Sequence, residues 1–221
     1  MTLYLQWWWS YPETKEMDKD FFLSLDRSKK LLYIPTAMIG SFSYEECYSY
    51  ISGVVASLWL SIQIEMISNL NELLNKDLWK YWWVYIGGGN TFRLLNEIKK
   101  NNLDITFHKY LKEGWYICWW SAWAIIFWKN INTSPDANIV NLKNSDWINI
   151  IKWCAIWCHY KPKEEKQIIE YIKHHDCAVI ALTEASGLKI TDKDIISIGD
   201  GIILFSKNSK TFIKWLDYLY L

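Results

Sequence analysis

Residues 81–92 read YWWVYIGGGNTF and residues 114–124 read GWYICWWSAWA. Each passes from a short apolar run into a turn and out into a helical pattern, and the pair decides the fold. Val84–Ile86 has the apolar character of a buried strand and runs into Gly87-Gly88-Gly89-Asn90, with a helix expected from about Thr91. Tyr116–Cys118 reads as another buried strand, with a helix beginning at Ser121. Toward the amino end, Thr2–Gln6, Leu31–Pro35 and Leu60–Ile64 read as strands. Helical spacing appears around Lys15–Ser24, over Tyr44–Leu58 and over Ile67–Asn75. Toward the carboxyl end come a strand near Ala155, a helix at Lys163–His174 and a strand at Ala178–Leu182. Ile195–Ile198 and Ile202–Phe205, joined by Gly199-Asp200-Gly201, read as a terminal hairpin. Strands alternating with helices predict an α/β fold, a parallel sheet covered by helices on both faces. No linker, repeat or low-complexity tract interrupts the pattern, so a single domain over residues 1–221 is expected.

The balance of charge narrows the function. Lys plus Arg and Asp plus Glu both number 24, so the net charge is zero and the basic excess of a nucleic-acid binder is missing. Hydrophobic content of 51% with 22% charged residues excludes a disordered chain. The uncharged, strongly apolar run Gly114–Trp128 has 15 residues, short of the roughly 18 that a membrane span needs. The amino terminus shows neither the basic region nor the small-residue cleavage site of a signal peptide. Five scattered cysteines have no disulfide-framework spacing, and a cytoplasmic protein is expected.

Both turns lie at the carboxyl ends of predicted strands, where open α/β sheets place their ligands. Three successive glycines let a backbone turn sharply and expose N–H groups, which suits a phosphate or an oxyanion. Taken alone, Gly87–Asn90 is equally a tight strand-to-helix turn. Ser121 stands between a buried strand and an apolar helix, the setting of a G-x-S-x-G nucleophile elbow, but Trp119 and Trp123 fill both glycine positions. Cys118, three residues earlier on the strand, reads as core. Cys154, Cys158 and His159 with His174, His175 and Cys177 lack zinc-ribbon spacing, so no metal is expected.

YIGGGNTFRLL, GWYICWWSAWA and the later AIWCHYKP (Ala155–Pro162), in that order, resemble the peptidase E (α-aspartyl dipeptidase) family of serine peptidases. The likeness runs from about residue 31 to about Leu188. It implies a flavodoxin-like three-layer sandwich, shared with class I glutamine amidotransferases, and a mainly parallel sheet. Carried over by position, Ser121 resembles the nucleophile, His159 the general base and Glu184, in ALTEASGL, the acidic third member. Gly88 and Ala122 N–H groups would form the oxyanion hole. Asp136 matches an acidic position used near the substrate's free amino group, with Asn90 beside it. The implied reaction is hydrolysis of small peptides with an N-terminal aspartate through an acyl-enzyme, with no cofactor. A cation should meet the aspartyl carboxylate, and Lys129 and Lys161 lie near the motifs. An adjacent carboxylate is expected to raise the histidine's pKa. Two other readings share the pattern: a cyanophycinase-like hydrolase of β-aspartyl peptides, and a non-catalytic α/β binding protein with a degenerate elbow.

Tryptophan occurs 16 times and glycine only nine. Trp7-Trp8-Trp9, Trp82-Trp83, Trp115, Trp119, Trp123 and Trp157 fall where strand ends and turns of this architecture want glycine. Some bacterial lineages read UGA as glycine, and a translation that reads it as tryptophan would produce this pattern. The expectation is that many of these positions are glycine in the organism.

Overall fold

Side chains alternate across a strand, so neighbouring residues must find different partners. The computed structural model describes residues 2–6, 11–24, 28–38, 42–114, 116–120, 122–128, 130–146, 149, 154–214 and 218–220. Four of its strands show that division plainly: β1 (Thr2–Gln6), β2 (Lys30–Ile34), β4 (Tyr81–Ile86) and β5 (Tyr116–Trp120). Leu3, Leu5, Leu32, Ile34, Val84, Ile86 and Ile117 point to one face. There they meet α3 (Thr91–Lys100), α4 (Leu103–Lys112) and α5 (Ala122–Ile126), through residues such as Leu94, Phe107 and Ile125. Tyr4, Leu31, Tyr33, Trp83, Tyr85 and Cys118 point to the other. That face is covered by α1 (Tyr11–Leu23) and α2 (Tyr44–Ser57), through Phe21, Phe22, Ile51 and Val54 among others. Each fully buried aliphatic or aromatic side chain contributes about 1.5–3 kcal/mol. Both faces are therefore cores.

With β3 (Ile64–Met66), these strands run parallel in the order β3-β2-β4-β5-β1. Three antiparallel strands extend the sheet past β1: β8 (Ser186–Thr191), β9 (Asp194–Gly199) and β12 (Tyr218–Tyr220). A second sheet has the order β11-β10-β7-β6. It comprises β6 (Cys154–Trp157), β7 (Ala178–Leu182), β10 (Ile202–Phe205) and β11 (Lys210–Ile213), with only β6 and β7 parallel. Its Ile156, Ile180, Leu182 and Ile202 join the same core as α3 and α5. Ala155, Val179 and Ala181 face the other way onto Ile168 and Ile172 of α6 (Glu165–His175). The α/β architecture and the mainly parallel sheet expected from the sequence are what the chain adopts.

Three local expectations are corrected. The terminal hairpin does not form: β9 pairs with β8, whereas β10 pairs with β7 in the other sheet. Gly199 and Gly201, at φ 85° and 92°, turn the chain across between the sheets. The third strand lies later than Leu60–Ile64, because pairing starts where Leu31 N–H donates to Gln63 O and continues to Ile67 N–H on Tyr33 O. The helix expected over Ile67–Asn75 shrinks to a 3-10 segment, Leu70–Asn75, started by the Asn69 side chain and Glu72 in a capping box.

The tryptophans divide into different cases. Trp7-Trp8-Trp9 and Trp115 lie outside the described residues, as do the side chains of Trp82, Trp119 and Trp123. Trp83 sits inside β4, not before it, and packs against Phe21 and Tyr116 with ring centroids 4.5 and 4.1 Å apart. Trp157 ends β6 and does not occupy a turn; its Nε1–H donates to Glu164 Oε2 at 3.3 Å. Trp83 and Trp128 keep buried indole N–H groups with no acceptor among the described residues, unusual for buried tryptophan. Trp59, which the sequence reading passed over, has φ 57° and is 96% exposed.

Candidate active site

The glycine turn after β4 and the start of α5 after β5 lie at the same edge of the sheet, because β4 and β5 are parallel neighbours with Ile86 opposite Trp119. Gly87 continues the ladder by donating its N–H to Ile34 O at 2.9 Å. A Cβ on Gly87 would lie 2.7 Å from Met38 Sδ and 3.3 Å from Pro35 Cα, so the Met38 side chain would have to move to admit one. Gly88 is buried in the turn and Gly89 takes φ 141°, a conformation other residues rarely adopt. Asn90 then caps α3, its Oδ1 accepting the Arg93 N–H. On the adjacent strand the chain passes through residue 121 into Ala122, the first residue of α5. Ser121 itself lies outside the described residues.

The second sheet supplies the other half. Trp157 of β6 pairs with Ala181 of the parallel β7, so the segments beyond these residues emerge side by side. Tyr160 N–H donates to Leu182 O and holds them together. His159 and Glu184 are carried on those extensions, and His159 Nδ1 lies 2.9 and 2.8 Å from Glu184 Oε1 and Oε2. Both side chains are partly exposed, as a group that must meet substrate requires. His159 occupies φ 53°, a sparsely populated conformation of the kind that clusters at functional sites.

Burial lowers the His159 pKa from its ordinary value, with Lys161 adding to the fall, and this outweighs the opposing pull of Glu184 and Asp136. The expectation of a raised value is therefore reversed: Glu184 pulls upward as foreseen, but desolvation of the ring is larger. Glu184 on Nδ1 fixes the tautomer with that proton toward the carboxylate and leaves Nε2 as the basic nitrogen. Such an imidazole can take a proton from a hydroxyl.

Asp136 also reaches this site, for its charge is felt by both His159 and Cys158. Its Oδ2 accepts from Thr91 N–H at 2.7 Å and Thr91 Oγ1 at 2.6 Å. Asn90 Nδ2 donates to Ala137 O at 2.9 Å, tying the glycine turn to the same loop. Of the two lysines, Lys161 acts electrostatically on His159, while Lys129 lies outside the described residues. Cys158, which the sequence reading considered only as a metal ligand, is buried and directly precedes His159 in the chain. Burial raises its thiol pKa well above the ordinary value, and the nearby Asp136 and Glu184 carboxylates add to the rise, so it stays a neutral core thiol. Among the described residues no group of three or more His, Cys, Asp and Glu side chains could hold a metal ion. No helix among them is long and apolar enough to cross a membrane.

A strand-end histidine–carboxylate pair in the field of Asp136, itself bonded to the residue after the glycine-rich turn, suits acyl transfer, and the sequence profile of Peptidase family S51 matches residues 10–198. The chain belongs to peptidase family S51. Relatives carry the name Peptidase E: that of Shewanella putrefaciens is 26% identical over 189 residues, 79% of this chain and 76% of the relative. That of Nostoc sp. is 25% identical over 190 residues, 81% and 76% of the two chains. A peptidase from an acI-B1 Actinobacterium has the same fold, with a TM-score of 0.74 at 16% identity over 100% of this chain and 96% of that one. A crystal structure from Listeria monocytogenes superposes with a TM-score of 0.67 at 22% identity, covering 90% and 98%. Membership in family S51 makes the protein a serine-type peptidase, and the site is to be read in those terms.

Proposed function

We propose that this S51 peptidase is an exopeptidase that removes aspartate from the amino end of small peptides through an acyl-enzyme on Ser121, acting as one α/β domain. The observation that carries the reading is the His159–Glu184 pair at 2.8 Å, set beyond the ends of two parallel strands. Neutral His159 accepts the Ser121 hydroxyl proton at Nε2 as Oγ bonds to the scissile carbonyl carbon. Glu184 stabilises the imidazolium without itself taking the proton. Negative charge develops on the carbonyl oxygen and meets the Gly88 and Ala122 N–H groups. The imidazolium then protonates the departing amine as the C–N bond breaks. Water, deprotonated by the same histidine, releases aspartate and restores Ser121.

Asp136 is the counter-charge for the substrate's α-ammonium and Asn90 its neighbour in the subsite. This pairing makes the enzyme require a free amino end. Lys161, the described lysine whose field reaches His159, is the cation for the aspartyl side chain. The reading needs only side-chain and backbone groups of this chain. Turnover of Asp-X chromogenic amides tests it. Hydrolysis of Asp-X, loss of that activity in Ser121→Ala with an unchanged melting curve, and covalent capture of Ser121 by a phosphonate are expected. Cleavage of β-aspartyl peptides in preference to Asp-X, or undiminished activity in the alanine variant, would overturn it.

A further inference from the structure

Thr91 is polar yet fully buried at the first turn of α3. Both its donors go to one atom: N–H and Oγ1–H reach Asp136 Oδ2 at 2.7 and 2.6 Å. Ser134 Oγ completes the knot, 2.9 Å from Thr91 Oγ1 and 3.2 Å from the same Oδ2, while accepting the Asp136 N–H at 3.2 Å. Hydrogen bonds to an ionised carboxylate are about twice as strong as neutral ones. Two donors of Thr91 on one oxygen, with the Ser134 hydroxyl proton shared between that oxygen and Thr91 Oγ1, fix the plane of the carboxylate as well as its position, and so fix where its second oxygen, Oδ1, points. Thr91 also directly follows the Gly87–Asn90 turn. The group that orients Asp136 is thereby covalently continuous with the backbone offered to the oxyanion.

We propose that Thr91 and Ser134 are positioning residues for amine recognition. They saturate Oδ2 of Asp136 and aim Oδ1 at the α-ammonium of the substrate, so the free-amine requirement is set by the same joint that holds the glycine turn. The inference rests on the exopeptidase reading above and adds the residues that enforce it. An ammonium–carboxylate contact depends on direction as well as distance, because misplacement by about an ångström can cost about a hundredfold. A carboxylate free to rotate on an otherwise irregular loop would discriminate poorly between a charged amine and its neutral amide.

The test compares two serine-reactive aspartyl phosphonates, one with a free amine and one N-acetylated, by their rates of inactivation. Wild-type protein should react faster with the free amine. Thr91→Val, which removes Oγ1–H at nearly constant volume, should slow the free-amine probe about tenfold while changing the N-acetyl rate less than about twofold. Thr91→Ser should restore most of the preference, and Ser134→Ala should show the same selective loss in smaller measure. With Asp-X amides the loss should fall mainly on KM. Equal slowing of both probes in Thr91→Val, or an undiminished preference in the variants, would overturn the proposal while leaving the exopeptidase reading intact. A wild-type protein labelled at Ser121 without amine preference would overturn both, and a folded wild-type protein that reacts with neither probe would remove the serine mechanism itself. Thermal unfolding monitors each variant, and Ser134→Ala carries the test where Thr91→Val does not fold.

Discussion

His159 and Trp59 share a backbone conformation, φ 53° and 57°, and almost nothing else. His159 ends an extension of β6 with its ring clamped to Glu184 at 2.8 Å and the following N–H bonded to Leu182 O. Trp59 lies one residue beyond the C-cap of α2, where its N–H bonds to Ala56 O and the Leu60 N–H to Val55 O. That pair of bonds is a Schellman motif, whose left-handed position is ordinarily glycine. The indole contributes little there, being 96% exposed. Left-handed strain costs about 1–2 kcal/mol in either place. On the proposed mechanism it aims a base at His159, and at Trp59 it does nothing that glycine would not do without strain. The difference separates strain that the proposed mechanism uses from strain to which the structure gives no use.

The comparison breaks most visibly at the base. His159→Ala should lower kcat by about 10⁴–10⁶-fold while leaving the melting temperature within a few degrees, because nucleophile and base act as a unit. Steady-state kinetics beside thermal unfolding checks both halves. A variant that kept substantial activity would reduce the strain at residue 159 to an accident of the turn. Next in size is Glu184→Gln, in which shape is kept and charge removed. Loss of the carboxylate leaves the tautomer and the imidazolium unsupported, and kcat should fall about 10³–10⁴-fold.

Titration gives a smaller and more discriminating effect. Since burial lowers the His159 pKa, the neutral base persists to lower pH than an ordinary histidine would allow. The acid limb of kcat/KM should therefore have its midpoint below about 6.5, the unperturbed value. Glu184 opposes the fall, so Glu184→Gln should move the midpoint lower still in whatever activity remains. The sign for stability is the same: a histidine with a depressed folded pKa supports the fold above its unfolded pKa. That support is lost as pH falls from about 6.5 through the folded value. A midpoint above about 6.5 in the wild type would mean that the ion pair, not desolvation, governs the ring.

Much of this was legible because period-two alternation and turn chemistry are local. The strands 84–86, 116–118 and 178–182, the helix at Thr91 and the glycine turn before it all lie where the residues put them. His159 and Glu184 could be paired from the sequence only by resemblance, since their meeting depends on β6 and β7 being parallel neighbours, a non-local fact. The same kind of fact defeated the hairpin reading of 195–205, where two well-formed strands with glycines between them belong to different sheets. Helix α4 was missed because nothing in LDITFHKYLK forms a cap signal: Asn102 enters in the left-handed region and makes no side-chain cap bond. The sign of the histidine shift was missed because burial is a property of the packed site, while the carboxylate partner could be guessed.

The smallest expected effect bears on what the chain is. In Trp59→Gly the replaced side chain is almost wholly in solvent, so little packing is lost. The left-handed penalty of about 1–2 kcal/mol disappears, and the greater freedom of glycine in the unfolded chain takes back about 0.5–1 kcal/mol. A net gain of up to about 1.5 kcal/mol follows, at about 2–4 °C of melting temperature per kcal/mol for a protein of this size. Trp59→Ala should gain less, because alanine still resists positive φ, and Trp59→Asn should fall between alanine and glycine. That ranking identifies a backbone effect, because a contact effect would instead follow side-chain size. If glycine destabilises, the indole makes a contribution that its exposure conceals, and the argument for recoded glycines loses its clearest position. If glycine stabilises, the coding DNA becomes decisive: UGA at codon 59 would place glycine there in the organism. UGG at every tryptophan codon would leave a strained residue that the protein tolerates.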